Sequence, residues 1–427
     1  MLVTRHELQR RGLRTLAFIC VLGLSVILLM VPTTSAGAGN PAIFQSSDSD
    51  TAVSPQYFGV IIPYQSPWPT IPFGSMRIDL NWLRVQPQPG TWDFARSDWF
   101  VEQAAAHNVE LLFILGFTPR WASSTPDKAC TVGTGTCGEP RDLNEWRNFL
   151  RTSANRYKGR VHYYELWNEP NDTEYYTGSI PGMVKLTQAA SEVLKDVDPS
   201  NQIVSPSAVG PAGLKWLDQF LQAGGGKYVD IIGYHFYVSP APPEGLVRYV
   251  QEIRTLMSNN GVASKPLWNT EIGWMDVNLG DFWQPAWLAR TLILLRSAGI
   301  SRSFWYAWGI RDGRLTLHLA KEDRVTPAPA GVAFKVLQDW MLGATVGPCV
   351  SNTDLPEPFK PAHGLWTCEI HRGAKVVRVV WSPDGNDMFT IPPNWGVKRL
   401  VDLYGASKPV PPGQILVGQQ PILLATD

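Results

Sequence analysis

The feature that most constrains the fold is the regular alternation, between residues 55 and 342, of short apolar runs with amphipathic helical patterns. Eight runs begin near Tyr57, Met76, Val109, Val161, Gln202, Val229, Pro266 and Arg302. Helical periodicity occupies segments 97–107, 145–157, 183–197, 214–222, 246–257, 285–297 and 331–341. Nearly continuous apolar runs are typical of parallel strands covered on both faces, and right-handed helical crossovers join such strands.

This alternation predicts an α/β fold, a closed (β/α)₈ TIM barrel. The alternative is an open doubly wound sheet. That fold would need a glycine-rich phosphate-binding turn after its first strand, and the sequence has none there.

The chain is longer than one such barrel. Its 427 residues are 44% hydrophobic, which can fill a large core and excludes a disordered or fibrous protein. Beyond residue 343, Pro- and Gly-rich turns separate short β runs, so we predict a small C-terminal β-sandwich whose favoured role is a structural cap rather than a sugar-binding module. The predicted divisions are an export segment at 1–38, a linker at 39–54, the barrel at 55–343 and the sandwich at 344–427.

The first 38 residues have the pattern of a signal peptide. Arg5, Arg10, Arg11 and Arg14 precede an uncharged run over 16–31, and residues 36–38 read Ala-Gly-Ala, which fits a small-residue cleavage site. We therefore expect a secreted or extracytoplasmic protein. An uncleaved membrane anchor is the alternative, with any membrane association confined to residues 1–38.

Four cysteines follow this segment, in two local pairs. An exported protein meets an oxidising compartment, so we predict disulfides Cys130–Cys137 and Cys349–Cys368, with four unpaired thiols as the alternative. The sequence has no Cys-x-x-Cys, and its seven histidines form no cluster typical of a metal site. We expect neither a metal nor a cofactor.

Charge and aromatic content bear on the partners. The 37 Lys and Arg residues equal the 37 Asp and Glu residues, and no basic stripe follows the first fourteen residues, which argues against a nucleic-acid partner. Eighteen Trp residues exceed the needs of packing, so some should face a ligand. We expect a carbohydrate ligand and a monomeric protein.

Two predicted strands end in a glutamate. The fourth ends in Trp-Asn-Glu-Pro-Asn with Glu169, and the seventh ends in Trp-Asn-Thr-Glu with Glu271. Because the carboxyl ends of barrel strands meet at one mouth, we expect these side chains to face each other. A facing pair of carboxyl groups can hydrolyse a glycosidic bond, one protonating the leaving oxygen and the other attacking or activating water. A solvated strand-end residue would be the default for a single glutamate.

The same segments resemble a known family. YELWNEPN at 164–171 and WNTEIGW at 268–274 look like the signature of clan A retaining glycoside hydrolases. GFTPRWAS at 116–123 resembles glycoside hydrolase family 39 and its bacterial relatives, which group β-xylosidase-like, α-L-iduronidase-like and exopolysaccharide-cleaving enzymes. The resemblance covers the barrel, residues 55–345, and extends to the β-sandwich, where RLVDLYGASKPV at 399–410 resembles the family's late strands.

The resemblance implies roles for individual residues. Glu169 is similar to the general acid/base, Glu271 to the nucleophile, and Asn168 to the residue that holds the sugar 2-hydroxyl. The implied reaction is a double displacement with retention, for which the carboxyl groups should stand about 5–5.5 Å apart. The Ile-Gly-Trp that follows Glu271 departs from many family members, so the substrate subsites stay open.

Further candidates flank this pair. His235 and Tyr237 end the sixth strand in a His-x-Tyr like the family's, and one of them should hydrogen-bond the nucleophile or the sugar, although a His satisfied by backbone is also possible. Arg77 resembles the clan's second-strand arginine. It could pair with Glu271 or neutralise Glu165, which shares inward parity with Glu169.

Aromatic residues complete the predicted pocket. Trp308 matches the position where clan A enzymes place an aromatic floor under the sugar, and Trp121 and Tyr306 could extend that platform or serve ordinary packing. The Cys130–Cys137 loop should form one pocket wall because it follows the third strand.

Two functional alternatives remain, a catalytically inactive carbohydrate-binding or surface-assembly protein and a transglycosylase. The sequence does not show which glycan is cleaved or whether the action is endo or exo, and the neutral composition gives no support for a polyanionic substrate.

Overall fold

The computed structural model describes residues 51–309 and 314–427. Nine parallel strand segments form the sheet of the larger part. They are β1 (Phe58–Val60), β2 (Ser75–Asn81), β3 (Glu110–Gly116), β4 (Tyr163–Leu166), β5 (Gln202–Val204), β6 (Ala208–Val209), β7 (Ile232–His235), β8 (Leu267–Ile272) and β9 (Arg302–Trp305). Their hydrogen-bonded order is β5-β4-β3-β2-β1-β9-β8-β7-β6.

This sheet is an eight-stranded barrel because β5 and β6 are two segments of its fifth strand. β5 pairs with β4, whereas β6 pairs with β7. Between them, Val204 bridges Ile231, and Ser205 N–H donates to the Ile231 carbonyl at 2.9 Å. The ring is thus closed, and all eight predicted strands are present. The predicted barrel is confirmed.

Helices surround the barrel. They are α1 (Trp82–Val85), α2 (Ala95–His107), α3 (Leu143–Tyr157), α4 (Ile180–Val197), α5 (Gly210–Gln222), α6 (Leu246–Asn259), α7 (Trp283–Ser297) and α8 (Pro329–Met341). Their sequences explain their ends and their buried faces. In α3, Asp142 caps the first turn by accepting the Asn144 N–H, and buried side chains recur at helical spacing. All seven predicted helices are present, and α1 is an additional short helix.

The C-terminal residues form two antiparallel sheets. The strands are β10 (Thr345–Ser351), β11 (Trp366–Arg372), β12 (Lys375–Trp381), β13 (Asp387–Thr390), β14 (Arg399–Val401), β15 (Ser407–Pro409), β16 (Gln414–Val417) and β17 (Ile422–Ala425). Six of them order as β10-β11-β12-β17-β14-β15, and β13 pairs with β16. Val380, Leu400 and Leu424 of the large sheet pack against Ile415 and Val417 of the small one. The predicted C-terminal β-domain is therefore confirmed.

The large sheet also packs on the barrel. Trp366 and Trp381 on its other face join the main hydrophobic core, and β10 lies against α7. This cover explains why α7, which carries no polar face, is buried over nearly its whole length.

The predicted signal peptide or anchor at 1–38 lies outside the described residues. Within the described residues, no helix combines the length and the apolar character that a membrane span requires.

Candidate active site

Glu169 and Glu271 reach the barrel mouth through irregular backbone. Glu169 lies three residues past β4, and Trp167 and Glu169 both adopt left-handed conformations, with φ of 57° and 45°. In β8, the pairing with β7 shifts register so that Thr270 is an extra residue between Asn269 and Glu271. Left-handed non-glycine residues and bulges are concentrated at functional sites, where they redirect side chains. Here they direct both carboxyl groups toward one opening.

The guanidinium of Arg77 is the centre of the site. It is 1% exposed. It donates from Nε to Glu165 Oε2 and from Nη1 to Glu271 Oε2, both at 2.6 Å, and from Nη2 to Asn168 Oδ1 at 2.9 Å. Burial disfavours its charge, but the carboxylates of Glu165 and Glu271 outweigh this effect and raise the pKa of Arg77. Arg77 therefore serves both partners that the sequence left as alternatives.

His235 connects Arg77 to Glu169. Arg77 Nη2 lies 3.1 Å from His235 Nε2, and His235 Nδ1 lies 2.8 Å from Glu169 Oε1. A guanidinium can only donate, so Nε2 accepts and the proton of the neutral ring is on Nδ1, where it is donated to Glu169. The buried imidazole is thus held in one tautomer, and it contacts Glu169 rather than Glu271.

Tyr237 contacts the other glutamate. Its hydroxyl donates to Glu271 Oε1 at 2.8 Å. Burial first, and the charge of Glu271 second, raise the pKa of Tyr237 well above its ordinary value. Glu271 thus receives two strong donors, whereas Glu169 receives one donor from a neutral ring.

Ser207 ties the two glutamate-bearing segments together. Its carbonyl accepts the Glu169 N–H at 3.0 Å, and its hydroxyl accepts from Thr270 Oγ1 at 2.8 Å. A carboxylate oxygen of Glu169 lies within 4.8 Å of one from Glu271. The side chains of these residues are 15% and 14% exposed. The two carboxyl groups therefore share one partly open space.

That space is a cavity of about 920 Å³. Six residues predicted for the site line it, namely Arg77, Asn168, Glu169, Tyr237, Glu271 and Tyr306. His235 is buried behind these lining residues, and it contacts Glu169 and Arg77 rather than the cavity itself. The volume is at the upper end of the range for ligand pockets, roughly 300–1,000 Å³.

Two predicted aromatic residues lie elsewhere. Trp308 is fully buried, and its indole N–H donates to the Arg324 carbonyl at 3.0 Å. Trp121 packs edge-on against Trp82 and donates to the Gln86 carbonyl at 3.1 Å. Neither lines the cavity, because each indole turns toward its own loop. Tyr306 occupies the cavity wall at the end of the eighth strand instead.

Both predicted disulfides are present, Cys130–Cys137 and Cys349–Cys368. The first closes the loop after β3, and Thr131 and Val132 of this loop line the cavity. Thr131 N–H donates to the Glu174 carbonyl, and Thr177 N–H donates to the Cys137 carbonyl. The disulfide loop is therefore a cavity wall joined to the segment after Glu169.

Sequence analysis missed residues in that segment. Trp167 Nε1 donates to the Tyr175 carbonyl at 2.7 Å, which folds residues 170–175 back over the mouth. Asp172 and Tyr175 line the cavity as a result. Burial, followed by the charges of Glu169 and Glu271, raises the pKa of Tyr175. The sequence places Tyr175 only six residues past Glu169, which could have marked it as a candidate. The direction of its side chain could not be inferred, because a loop has no periodic pattern.

Glu169, His235 and Glu271 also satisfy the spacing of a metal site, since one ligand atom of each lies within 4.8 Å of the others. Arg77 argues against this use. Its guanidinium already contacts Glu271 and His235, so a metal cation would meet a fixed positive charge between its own ligands.

Comparisons with known proteins agree with this geometry. Residues 140–318 match the family model described as the glycosyl hydrolase catalytic core. A family 39 glycoside hydrolase from the gut symbiont Bacteroides cellulosilyticus superposes with a TM-score of 0.71 at 20% identity, over 90% of this chain and 82% of that one. A comparison with curated proteins gives no match.

Two other solved structures have the same architecture. A family 39 β-xylosidase from Caulobacter crescentus gives a TM-score of 0.60 at 15% identity, covering 89% of this chain and 97% of the other. The family 39 enzyme from Xanthomonas axonopodis pv. citri gives 0.58 at 14% identity, covering 92% and 98%. At these identities the likeness shows a shared fold. The segment matched by the family model contains both Glu169 and Glu271.

Proposed function

We propose that this chain is a glycosidase related to the clan A enzymes of glycoside hydrolase family 39 and that it hydrolyses O-glycosidic bonds of an oligosaccharide or polysaccharide with retention of configuration. Glu271 is the nucleophile and Glu169 the general acid/base. Xylose-based glycans are the first substrates to test, because one solved neighbour is a β-xylosidase.

The observation that carries this proposal is the unequal environment of the two glutamates. Glu271 accepts one hydrogen bond from the Arg77 cation and one from the Tyr237 hydroxyl, which are the surroundings expected of the nucleophile. Glu169 has no hydrogen bond from a cation among the described residues, and its contact is with neutral His235. One carboxylate and one carboxylic acid in a shared cavity are what double displacement requires.

The spacing supports retention over inversion. Carboxylate oxygens of the two residues approach within 4.8 Å. Inverting enzymes hold their carboxyl groups roughly 6.5–9.5 Å apart to admit a water between them. An oxygen–oxygen approach this close fits the shorter spacing of retaining enzymes, about 5–5.5 Å.

The reaction then runs in two steps. Glu271 attacks the anomeric carbon, the glycosidic C–O bond breaks, and the leaving oxygen takes the proton of Glu169. Because His235 engages Oε1 of Glu169, Oε2 is left to carry that proton. In the second step Glu169 removes a proton from water, the water oxygen bonds to the anomeric carbon, and the bond to Glu271 breaks.

Asn168 assists in both steps. Its Oδ1 accepts from Arg77, which leaves the amide NH₂ group as a donor for the sugar 2-hydroxyl. A hydrogen bond to this hydroxyl strengthens in the transition state.

The test uses residues 39–427, nitrophenyl β-glycosides and a polysaccharide panel. Glu271→Ala should lower turnover by at least about a thousandfold, as loss of a nucleophile does. Glu169→Gln should slow substrates with poor leaving groups far more than activated aryl glycosides, since only the former need a proton. Equal loss on both substrate types would refute the acid assignment. Products transferred to added acceptors would indicate a transglycosylase, and no product at all a binding protein.

Two further assignments belong to this proposal. The paired disulfides fit an oxidising, extracytoplasmic compartment. We therefore assign the protein to that compartment. Its monomeric state and the removal of residues 1–38 stay predictions from the sequence. The C-terminal β-domain acts as a structural cap for the barrel.

A further inference from the structure

The cavity continues beyond the two glutamates along β2. Asp79 lies two residues past Arg77 on the same strand and on the same face, roughly 7 Å further toward the strand end at the usual rise per residue. Asp79, Asn81, Arg84 and Arg96 line both the main cavity and a second one of about 410 Å³. The two cavities are therefore one groove that extends past the reacting centre.

Two arginines share one aspartate in this extension. Arg96 Nη2 donates to Asp79 Oδ1 at 3.3 Å, and Arg84 Nε lies 4.0 Å from Asp79 Oδ2. The arginine side chains are 32% and 60% exposed. The other carboxylate here, Asp93, accepts the Ala95 N–H at the start of α2. The two guanidinium groups thus offer more donors than Asp79 can accept from, and both line the groove.

Arg96 is also held in place. Its guanidinium lies over the rings of Tyr64 and Phe100, 4.9 and 5.2 Å from their centroids. A planar, fixed donor beside a carboxylate acceptor matches the alternating donors and acceptors of sugar hydroxyls. A fixed group also loses little conformational entropy on binding.

The groove extends on the opposite side as well. Ser239, Pro240, Met275 and Asp276 line the cavity beyond Glu271, and Asp276 accepts from Arg314 Nε at 3.0 Å. The two glutamates therefore lie within the groove, with polar wall on both sides.

We infer that Arg84, Arg96 and Asp79 form a distal sugar-binding subsite and that the enzyme cleaves glycan chains internally rather than removing single units from their ends. This inference rests on the proposed function and deepens it. A chain laid across the mouth places the scissile bond at the glutamates and a further sugar unit against the arginines.

The action pattern and a pair of variants test it. The wild-type protein is incubated with nitrophenyl β-xyloside, xylohexaose, xylan, galactomannan, laminarin and alginate, and early products are sized. Internal cleavage gives fragments of several lengths and a fast fall in viscosity. Arg84→Ala and Arg96→Ala should each lower kcat/KM on the oligosaccharide about tenfold more than on the aryl glycoside, since a hydrogen bond to a charged donor is lost.

The matched control is Arg151→Ala, an exposed ion-paired arginine on the outer helix α3. It should leave the ratio between the two substrates at the wild-type value. Three results would overturn the inference and leave the proposed function standing. They are cleavage of aryl glycosides with polymers left intact, trimming of polymers solely to single units, and equal losses on both substrates in the Arg84 and Arg96 variants. No hydrolysis of any substrate would refute the proposed function and the inference with it.

Discussion

At the scale of single residues, the site depends on Arg77. One buried guanidinium contacts Glu165, Glu271, Asn168 and His235, so its position fixes the strand-end side chains relative to one another. The sequence left open whether it pairs with Glu165 or Glu271. Its five donors in a planar fork resolve that choice, because the fork reaches both carboxylates at once.

Tyr237→Phe should lower kcat/KM by about tenfold to a hundredfold, because it removes a hydrogen bond to the Glu271 carboxylate worth roughly 1.5–3 kcal/mol. Burial and the charge of Glu271 raise the pKa of Tyr237 well above its ordinary value, so the phenol stays protonated at working pH. The loss should therefore be constant between about pH 5 and pH 9. Parallel pH–rate profiles of wild type and variant check this, with exposed Tyr404→Phe as the control. A loss that vanishes above neutral pH would contradict it.

At the scale of elements, periodicity made the strands and helices predictable, because parallel strands buried on both faces and helices buried on one face leave distinct patterns. The two irregularities left no such pattern. The gap between β5 and β6 and the extra residue Thr270 in β8 depend on pairing with neighbouring strands. The extra residue nonetheless redirects Glu271, and Ser207, which lies in the gap, binds the backbone of Glu169.

The directions of loop side chains are still harder to predict from the sequence. A strand-end position determines which mouth a side chain faces, so Glu169, Glu271 and Asn168 could be predicted for the cavity. The directions of Trp308 and Tyr175 could not be predicted, because loop hydrogen bonds set them, even though Trp308 lies three residues past β9 just as Glu169 lies three residues past β4. A hydrogen bond to the Arg324 carbonyl holds the first away from the cavity, and one from Trp167 to the Tyr175 carbonyl brings the second into it.

The Cys130–Cys137 loop offers a test at this scale. Replacing both cysteines with serine should raise KM several-fold with little change in kcat, because the loop lines the cavity and is joined to the segment carrying Tyr175 but does not touch either glutamate. Steady-state kinetics on the best oligosaccharide measure the split. The Cys349→Ser, Cys368→Ser protein is the control, since that bond joins β10 and β11 in the C-terminal domain. An equal rise in KM in both proteins would argue against a local role.

At the scale of the whole molecule, a buried polar junction joins the β-domain to the barrel. Arg290 of α7 donates to Glu244 Oε1 at 3.0 Å, and Trp381 Nε1 of β12 donates to the same oxygen at 2.9 Å. Arg290 and Glu244 are at most 1% exposed. Burial lowers the pKa of Arg290, and the charge and hydrogen bond of Glu244 act against this lowering. The junction thus contains a charge that is tolerable only while paired.

Arg290→Met should therefore lower the free energy of unfolding by about 3–5 kcal/mol, since it leaves the Glu244 carboxylate buried without its cation. Adding Glu244→Met should recover much of this loss, because an apolar pair replaces the ion pair. Urea denaturation measures both, with Arg151→Ala expected to change stability by about 1 kcal/mol or less. A double variant as unstable as the single one would show that Glu244 holds Trp381 rather than balances Arg290.

The fifth strand carries no acidic group at the mouth, yet it determines how far apart the reacting groups can stand. Ser207 binds the backbone of Glu169 on one side and the hydroxyl of Thr270 on the other. Under the proposed retaining mechanism, a change of stereochemical outcome would require a wider gap that admits water. Shortening one acid retracts a single carboxyl group, whereas lengthening or loosening the tie at residues 205–208 would let the two segments themselves move apart.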